Sequence, residues 1–140
     1  MPNELKETNR KVLRARELIY LASPYSHPDP EVRRQRYEAV KKLADLLISK
    51  GKYIFCPIIH SHEIQQIQKE EPLGWVEWMD QDLTILSRCT ALYVMDLEGW
   101  LESKGVRAER EFAQKNNMRI EIVNSDGKLL LTHVALGTSL

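Results

Sequence analysis

Glycine is scarce in this chain, six among 140 residues, and neither G-x-G-x-x-G nor G-x-x-x-x-G-K-S/T occurs. Their absence excludes the dinucleotide turn of a dehydrogenase and the P-loop of a kinase, which use closely spaced glycines to bring backbone N–H groups onto phosphate. Cysteine is rarer still. Cys56 and Cys89 each sit in an apolar run and read as buried free thiols rather than a crosslinked framework. An excess of either charge is missing: 20 Lys and Arg balance 20 Asp and Glu, so no overall field attracts a nucleic-acid polymer or a membrane. No apolar run approaches a membrane span, and the opening MPNELKETNRKVLRAR has no apolar signal core. The expected setting is a reducing cytoplasm.

Zinc spacing is absent as well. His60-Ser61-His62 would put two imidazoles on one side of an extended segment, but no further Cys or His stands at zinc spacing. The P-C-x-x-C end of the deaminase pattern is also missing. No metal is expected, and His60 and His62 read as ligand contacts or helix caps.

What is present alternates. Leu18-Ile19-Tyr20-Leu21-Ala22 is an apolar run of strand length, and the three prolines of Ser23-Pro24-Tyr25-Ser26-His27-Pro28-Asp29-Pro30 end it. Asp29 suits the cap of a helix with Pro30 in its first turn. Val32, Tyr37, Val40, Leu43, Ala44, Leu46 and Leu47 then recur at helical spacing to about Ser49, and Gly51 supplies the stop. Tyr53-Ile54-Phe55-Cys56 reads as a second strand, residues 58–68 as containing a short helix and residues 75–87 as another. Residues 90–95 form the clearest buried strand, Gly105 leads into a helix to about Lys115, and residues 119–123 make a fourth strand. Past the turn Asn124-Ser125-Asp126-Gly127, residues 128–131 suit a short fifth.

Residues 1–17 read as a short helical arm and residues 18–140 as one domain. Alternating strands and helices imply an α/β architecture with a mostly parallel sheet of four to five strands, covered on both faces. Ligands of such sheets bind outside the carboxyl ends of the strands. The loops at residues 23–29, 57–62 and 96–109 should therefore meet at one crevice.

Carboxylates carry the chemical signal there. Asp82 lies on the helix before the strongest strand, and Glu109 follows Gly105 just inside a helix whose N-terminus faces the crevice. Asp80 and Asp82, two apart on a helix, cannot point the same way. Two acids at one crevice suit glycosidic cleavage, where one carboxylate attacks and another group protonates the leaving atom. Asp96, at the carboxyl end of the strongest strand, is in reach of a sugar hydroxyl. Trp75, Trp78 and Met79 recur at helical spacing and read first as a packed stripe, with base stacking as the alternative.

Three segments resemble the nucleoside 2-deoxyribosyltransferase superfamily: Ile19-Tyr20-Leu21-Ala22-Ser23-Pro24-Tyr25, then Gln81-Asp82-Leu83 before Ala91-Leu92-Tyr93-Val94, then Ser103-Lys104-Gly105-Val106-Arg107-Ala108-Glu109. The S-P-Y-S-H-P and I-x-H-S-H segments mark a distinct branch. The chain is also similar to 2'-deoxynucleoside 5'-monophosphate N-glycosidases, in which a serine before the glycine contacts phosphate, the place Ser103 occupies. Two features depart from these patterns: Arg110-Glu111 stands where a glycine often follows the nucleophile, and a proline-rich loop replaces a glycine-rich one.

The resemblance implies a single-domain Rossmann-like (flavodoxin-like) sandwich that needs no cofactor. It implies Glu109 as nucleophile on C1', Asp82 as proton donor or shuttle for the departing base, and Tyr25 as the hydrogen-bond partner that orients Glu109. Ser23, Ser103 and Arg34 would grip a 5'-phosphate, while Ser26, His60, His62 and Gly105 complete the expected substrate contacts. The activity implied is cleavage of the N-glycosidic bond of a nucleoside or its 5'-monophosphate, with hydrolysis favoured over base exchange. A nucleotide-binding sensor module without turnover is the alternative from another class, and a structural partner domain a third. Relatives of this kind assemble with a neighbour completing the pocket, so a homo-oligomer, dimer or tetramer, is expected.

Overall fold

A computed structural model describes residues 16–68, 70 and 72–132. Residues 1–15 of the expected N-terminal arm lie outside them.

Five strands form one sheet: β1 (Ile19–Ala22), β2 (Ile54–Phe55), β3 (Ala91–Met95), β4 (Arg119–Val123) and β5 (Leu129–Thr132). Their order is β2-β1-β3-β4-β5, with the first four parallel and β5 antiparallel to β4. This is the flavodoxin-like order, and the expected single-domain α/β sandwich is observed. Each position of β1 and β3 is buried, as it must be where helices cover both faces of a parallel sheet. At the β4–β5 turn, Asn124 Oδ1 accepts from the N–H groups of Asp126 at 3.0 Å and Lys128 at 2.9 Å. Gly127 supplies the positive φ of 79° that the turn needs.

Four helices connect the strands: α1 (Pro30–Ser49), α2 (Pro57–Gln65), α3 (Trp75–Leu86) and α4 (Lys104–Lys115). Asp29 caps α1 by accepting from the Glu31 N–H at 2.9 Å, with Pro30 at the first helical position. Side-chain alternation along the strands divides the core in two. Ile19, Leu21, Ala91, Tyr93 and Met95 pack with Val40, Leu43, Ala44 and Leu47 of α1. Tyr20, Ala22, Leu92, Val94, Ile120 and Ile122 pack with Leu86 of α3 and with Val106 and Ala113 of α4. Each large side chain fully buried in these layers contributes about 1.5–3 kcal/mol. Both layers brace the carboxyl edge of the sheet.

The helix expected within residues 58–68 begins one residue earlier, at Pro57, and takes both histidines with it. Proline at the first turn costs no hydrogen bond, since that N–H has no helical acceptor. Among the described residues no helix is long and apolar enough to cross a membrane. Both cysteines are buried and free.

The chain runs outward from β1 to β2 on one side and from β3 to β4 on the other. Between β1 and β3 the order reverses, and their carboxyl ends part there. Ligands of open α/β sheets bind at such a reversal.

Candidate active site

A cavity of ≈ 600 Å³ opens at that reversal. The loop after β1 lends it Ser23, Tyr25 and Ser26, and α2 lends Pro57, Ile58, Ser61 and Gln65. Across from them stand Leu73, Gly74, Trp75, Trp78, Met79 and Asp82, then Glu102, Ser103, Lys104, Gly105 and Glu109. Trp75, Trp78, Met79 and Asp82 follow the i, i+3, i+4, i+7 spacing that puts side chains on one helical face. The aromatic stripe of α3 therefore walls the cavity, while Leu86 of the same helix packs into the core. Asp80 is exposed.

Helix α4 sets up the chemistry. Its buried face is Val106, Glu109, Arg110 and Ala113, so Glu109 occupies a place where periodicity calls for an apolar residue. Only 4% of Glu109 is exposed. Burial pushes its carboxyl up to about 8, opposed by the Tyr20 phenol and reinforced by the charge of Asp82. Burial likewise lifts Asp82 to about 6. Both acids thus keep their protons to higher pH than usual for the same reason, removal from water.

Tyr20 lies under this pair. Its phenol is buried and pushed far above the usual range, by burial first and then by the charges of Glu109 and Asp82. It therefore stays protonated and faces the Glu109 carboxyl, without completing a hydrogen bond of regular geometry. Tyr25, expected to orient Glu109, instead bonds His62 Nδ1 at 2.6 Å. The difference follows from strand parity. Tyr20 points to the face covered by α3 and α4, whereas Tyr25 comes after β1 has ended.

The remaining expected residues divide. Ser23, which is buried, and Ser26 line the cavity. So do Gly105 and Ser103, whose hydroxyl caps α4 by accepting from the Val106 N–H at 3.2 Å. A Cβ on Gly105 would meet Met79 Cε at 3.5 Å, an ordinary contact. Arg34 is elsewhere: its guanidinium is exposed and paired with Glu31 at 2.6 Å. The arginines of α1 that reach the proline-rich loop are Arg33, onto the carbonyls of His27 and Pro28, and Arg36, onto that of Ser26 at 2.9 Å. Asp96 is exposed and accepts from the Trp100 indole N–H at 3.2 Å, outside the cavity. His60 and His62 diverge because residues two apart on a helix point to different sides. His60 is exposed beside Phe55, and His62 stacks on Tyr37 with 3.8 Å between ring centroids. They do not form a chelating pair.

Sequence reasoning missed Tyr20 and Lys104. Tyr20 is the one side chain of Leu18-Ile19-Tyr20-Leu21-Ala22 with a polar atom, a signal that Tyr93 in β3 shares. Lys104 is the only lysine or arginine among the described residues lining the cavity, and its Nζ lies 4.1 Å from the centroid of the Trp75 ring. It stands in the first turn of α4, where free backbone N–H groups and the helix dipole favour an anion.

Comparison with known proteins gives two findings. The family described as Domain of unknown function (DUF1937) matches residues 17–125. A solved structure of a 2-deoxyribosyltransferase from Bacillus psychrosaccharolyticus shares the fold with a TM-score of 0.52 and 20% identity, over 81% of this chain and 76% of that one. No curated protein matches.

Proposed function

With the premise that the chain belongs to the family described as Domain of unknown function (DUF1937), we propose that it cleaves the N-glycosidic bond of a nucleoside or nucleoside 5'-monophosphate. One observation carries the reading: two carboxyls with raised proton affinity, Glu109 and Asp82, share one aromatic-walled cavity at the sheet reversal. The 2-deoxyribosyltransferase of the same fold supports it.

In the first step Glu109 attacks C1', the C1'–N bond breaks, and its electron pair leaves on the base nitrogen. Asp82 delivers the proton that the nitrogen takes. In the second step water attacks C1', its proton returns to Asp82, and the sugar leaves Glu109 as a free carboxylate. Atoms and charge balance, and the site returns to its starting form. Positive charge on the sugar favours ionised Glu109 in the transition state, which draws the pair's single proton onto Asp82. Tyr20 donates toward Glu109 and aims it. Trp75 and Trp78 offer faces for a base. Hydrolysis is favoured over base exchange because the α4 N-terminus, Ser103 and Lys104 suit a 5'-phosphate.

Two expectations follow. Lys104→Ala raises KM for a 5'-monophosphate about tenfold and leaves the parent nucleoside unchanged, the scale of one charge-assisted hydrogen bond at a partly exposed site. Steady-state kinetics on the matched pair checks it. The exposed Leu73, Trp75 and Val76 beside the cavity mouth support a homo-oligomer in which a second copy covers them. Light scattering at micromolar concentration should then give at least a dimer, and a monomeric mass would remove that part of the reading. The two free, buried cysteines suit a reducing compartment, which supports the cytoplasm.

The test is chromatography of the protein incubated with ribo- and deoxyribonucleosides and their 5'-monophosphates, with and without a free acceptor base. Base release without acceptor means hydrolysis, and turnover only with acceptor means transfer. Tight binding without turnover would point to the sensor reading instead.

A further inference from the structure

On the wall of the same cavity, Tyr25 is held from behind. Its hydroxyl lies 2.6 Å from Nδ1 of His62, while His62 itself does not reach the cavity. The imidazole is clamped. Tyr37 stacks on it at 3.8 Å between centroids and an interplanar angle of 18°, and Tyr25 meets it edge-on at 85°. Tyr37 is in turn fixed, since it is 7% exposed and donates its hydroxyl to Glu63 Oε1 at 2.6 Å. The S-P-Y-S-H-P and I-x-H-S-H segments thus supply the two halves of one unit, and α1 supplies its backing.

A phenol has one proton, and an imidazole nitrogen offers either a lone pair or a proton, so this pair has a polarity. Burial raises the Tyr25 phenol, with Arg33 opposing, which keeps it neutral. With the imidazole proton on Nε2, the phenol donates to the free lone pair of Nδ1, and the lone pairs of its oxygen are then left for the cavity. We propose that His62 is a positioning residue that fixes the Tyr25 hydroxyl as an acceptor toward the cavity, so that Tyr25 selects a nucleoside presenting a hydrogen-bond donor there. This rests on the nucleoside reading above. The donor is either a sugar hydroxyl or an exocyclic amine of the base.

A proton on Nδ1 inverts the pair. Nδ1 then carries its own proton, the Tyr25 oxygen accepts it, and the phenol proton turns to the cavity. The groups around the imidazole are Tyr25 from the loop after β1, Tyr37 from α1 and Glu63 from α2 bonded to Tyr37. Lys41 lies over the Tyr37 ring, and Arg33 acts on Tyr25.

Equilibrium binding and base release are measured for two matched pairs, ribonucleoside against 2'-deoxyribonucleoside and adenosine against inosine. Wild type is expected to favour the donor-bearing member of one pair by about tenfold at about pH 8, the scale of one hydrogen bond. The pair that responds identifies the donor as sugar hydroxyl or amine. Tyr25→Phe removes the preference, and His62→Leu reduces it. His62→Asn, which can place an acceptor oxygen near the Nδ1 position, restores it. A ratio between two substrates cancels the titration of Glu109 and Asp82, which acts on both alike. Tyr25→Phe with its preference intact, or His62→Leu weakening both members equally, overturns the proposal. Preferential binding without base release overturns the glycosidase reading alone, and a protein that binds none of these nucleosides overturns both.

Discussion

Replacing Glu109 by glutamine is expected to abolish base release, by about three orders of magnitude or more in kcat, the usual scale for loss of a nucleophile. An amide cannot form the ester with C1', while its size and shape leave the packing of α4 unchanged. The same variant should be more stable than wild type, increasingly so as pH rises. In the unfolded chain the glutamate ionises near its ordinary value of 4.5, but in the fold it holds its proton up to about 8. The folded state therefore binds the extra proton between those limits. Stability is whole below about 4.5 and drains as pH rises to about 8. At about 1.4 kcal/mol per tenfold change in acidity, the loss amounts to several kcal/mol. Glutamine has no proton to lose. Thermal unfolding near pH 5, 7 and 9 should show a gap in Tm between variant and wild type that opens with pH and levels off on the alkaline side. A gap independent of pH would mean that Glu109 is not held neutral.

The second large effect is in the pH profile. Glu109 must be ionised to attack and Asp82 protonated to release the base, so the active enzyme is the pair with one proton between them. Its two apparent values, about 6 and about 8, belong to the pair and not to either acid alone. In the empty site most of that single proton rests on Glu109, and the charge developing on the sugar moves it to Asp82. kcat/KM is then a bell with limbs near those values. Asp82→Asn should cost about a hundredfold or more by removing the proton donor. Its residual activity should rise to an alkaline plateau with no fall beyond it. The midpoint should lie below about 8, because the charge of Asp82 no longer opposes ionisation of Glu109. An alkaline fall that persists in Asp82→Asn would assign the donor to another group.

The layering of this molecule was legible because parallel strands declare themselves. β1 and β3 are unbroken apolar runs, and a run buried on both faces leaves little choice but an α/β sandwich. The cavity was legible for a related reason, since loops after parallel strands must meet at one edge. It gathers Glu109 and Asp82 there, along with Ser23, Tyr25, Ser26, Ser103 and Gly105. Parity was harder. Which face of β1 receives α4 depends on how the helices cross the sheet, so the tyrosine facing Glu109 was expected three residues past the end of the strand and stands inside it as Tyr20. Arg34 shows a similar limit of helical register: its neighbours Arg33 and Arg36 turn toward the loop, and Arg34 turns to Glu31. His60 and His62 were read on an extended segment, but Pro57 starts a helix, and about half a turn of helix separates side chains that a strand would align.

The most direct test of the central claim is to trap the sugar on Glu109. A 2'-fluoro nucleoside with a good leaving base slows both steps by disfavouring positive charge at C1', and accumulates the intermediate when the first step remains the faster. Quenched protein is digested and its peptides weighed. The account expects one added fluorosugar, on the peptide that carries Glu109, and none in Glu109→Gln. Sugar attached to a different residue, or base released in stoichiometric amount with no sugar bound to any peptide, would contradict it.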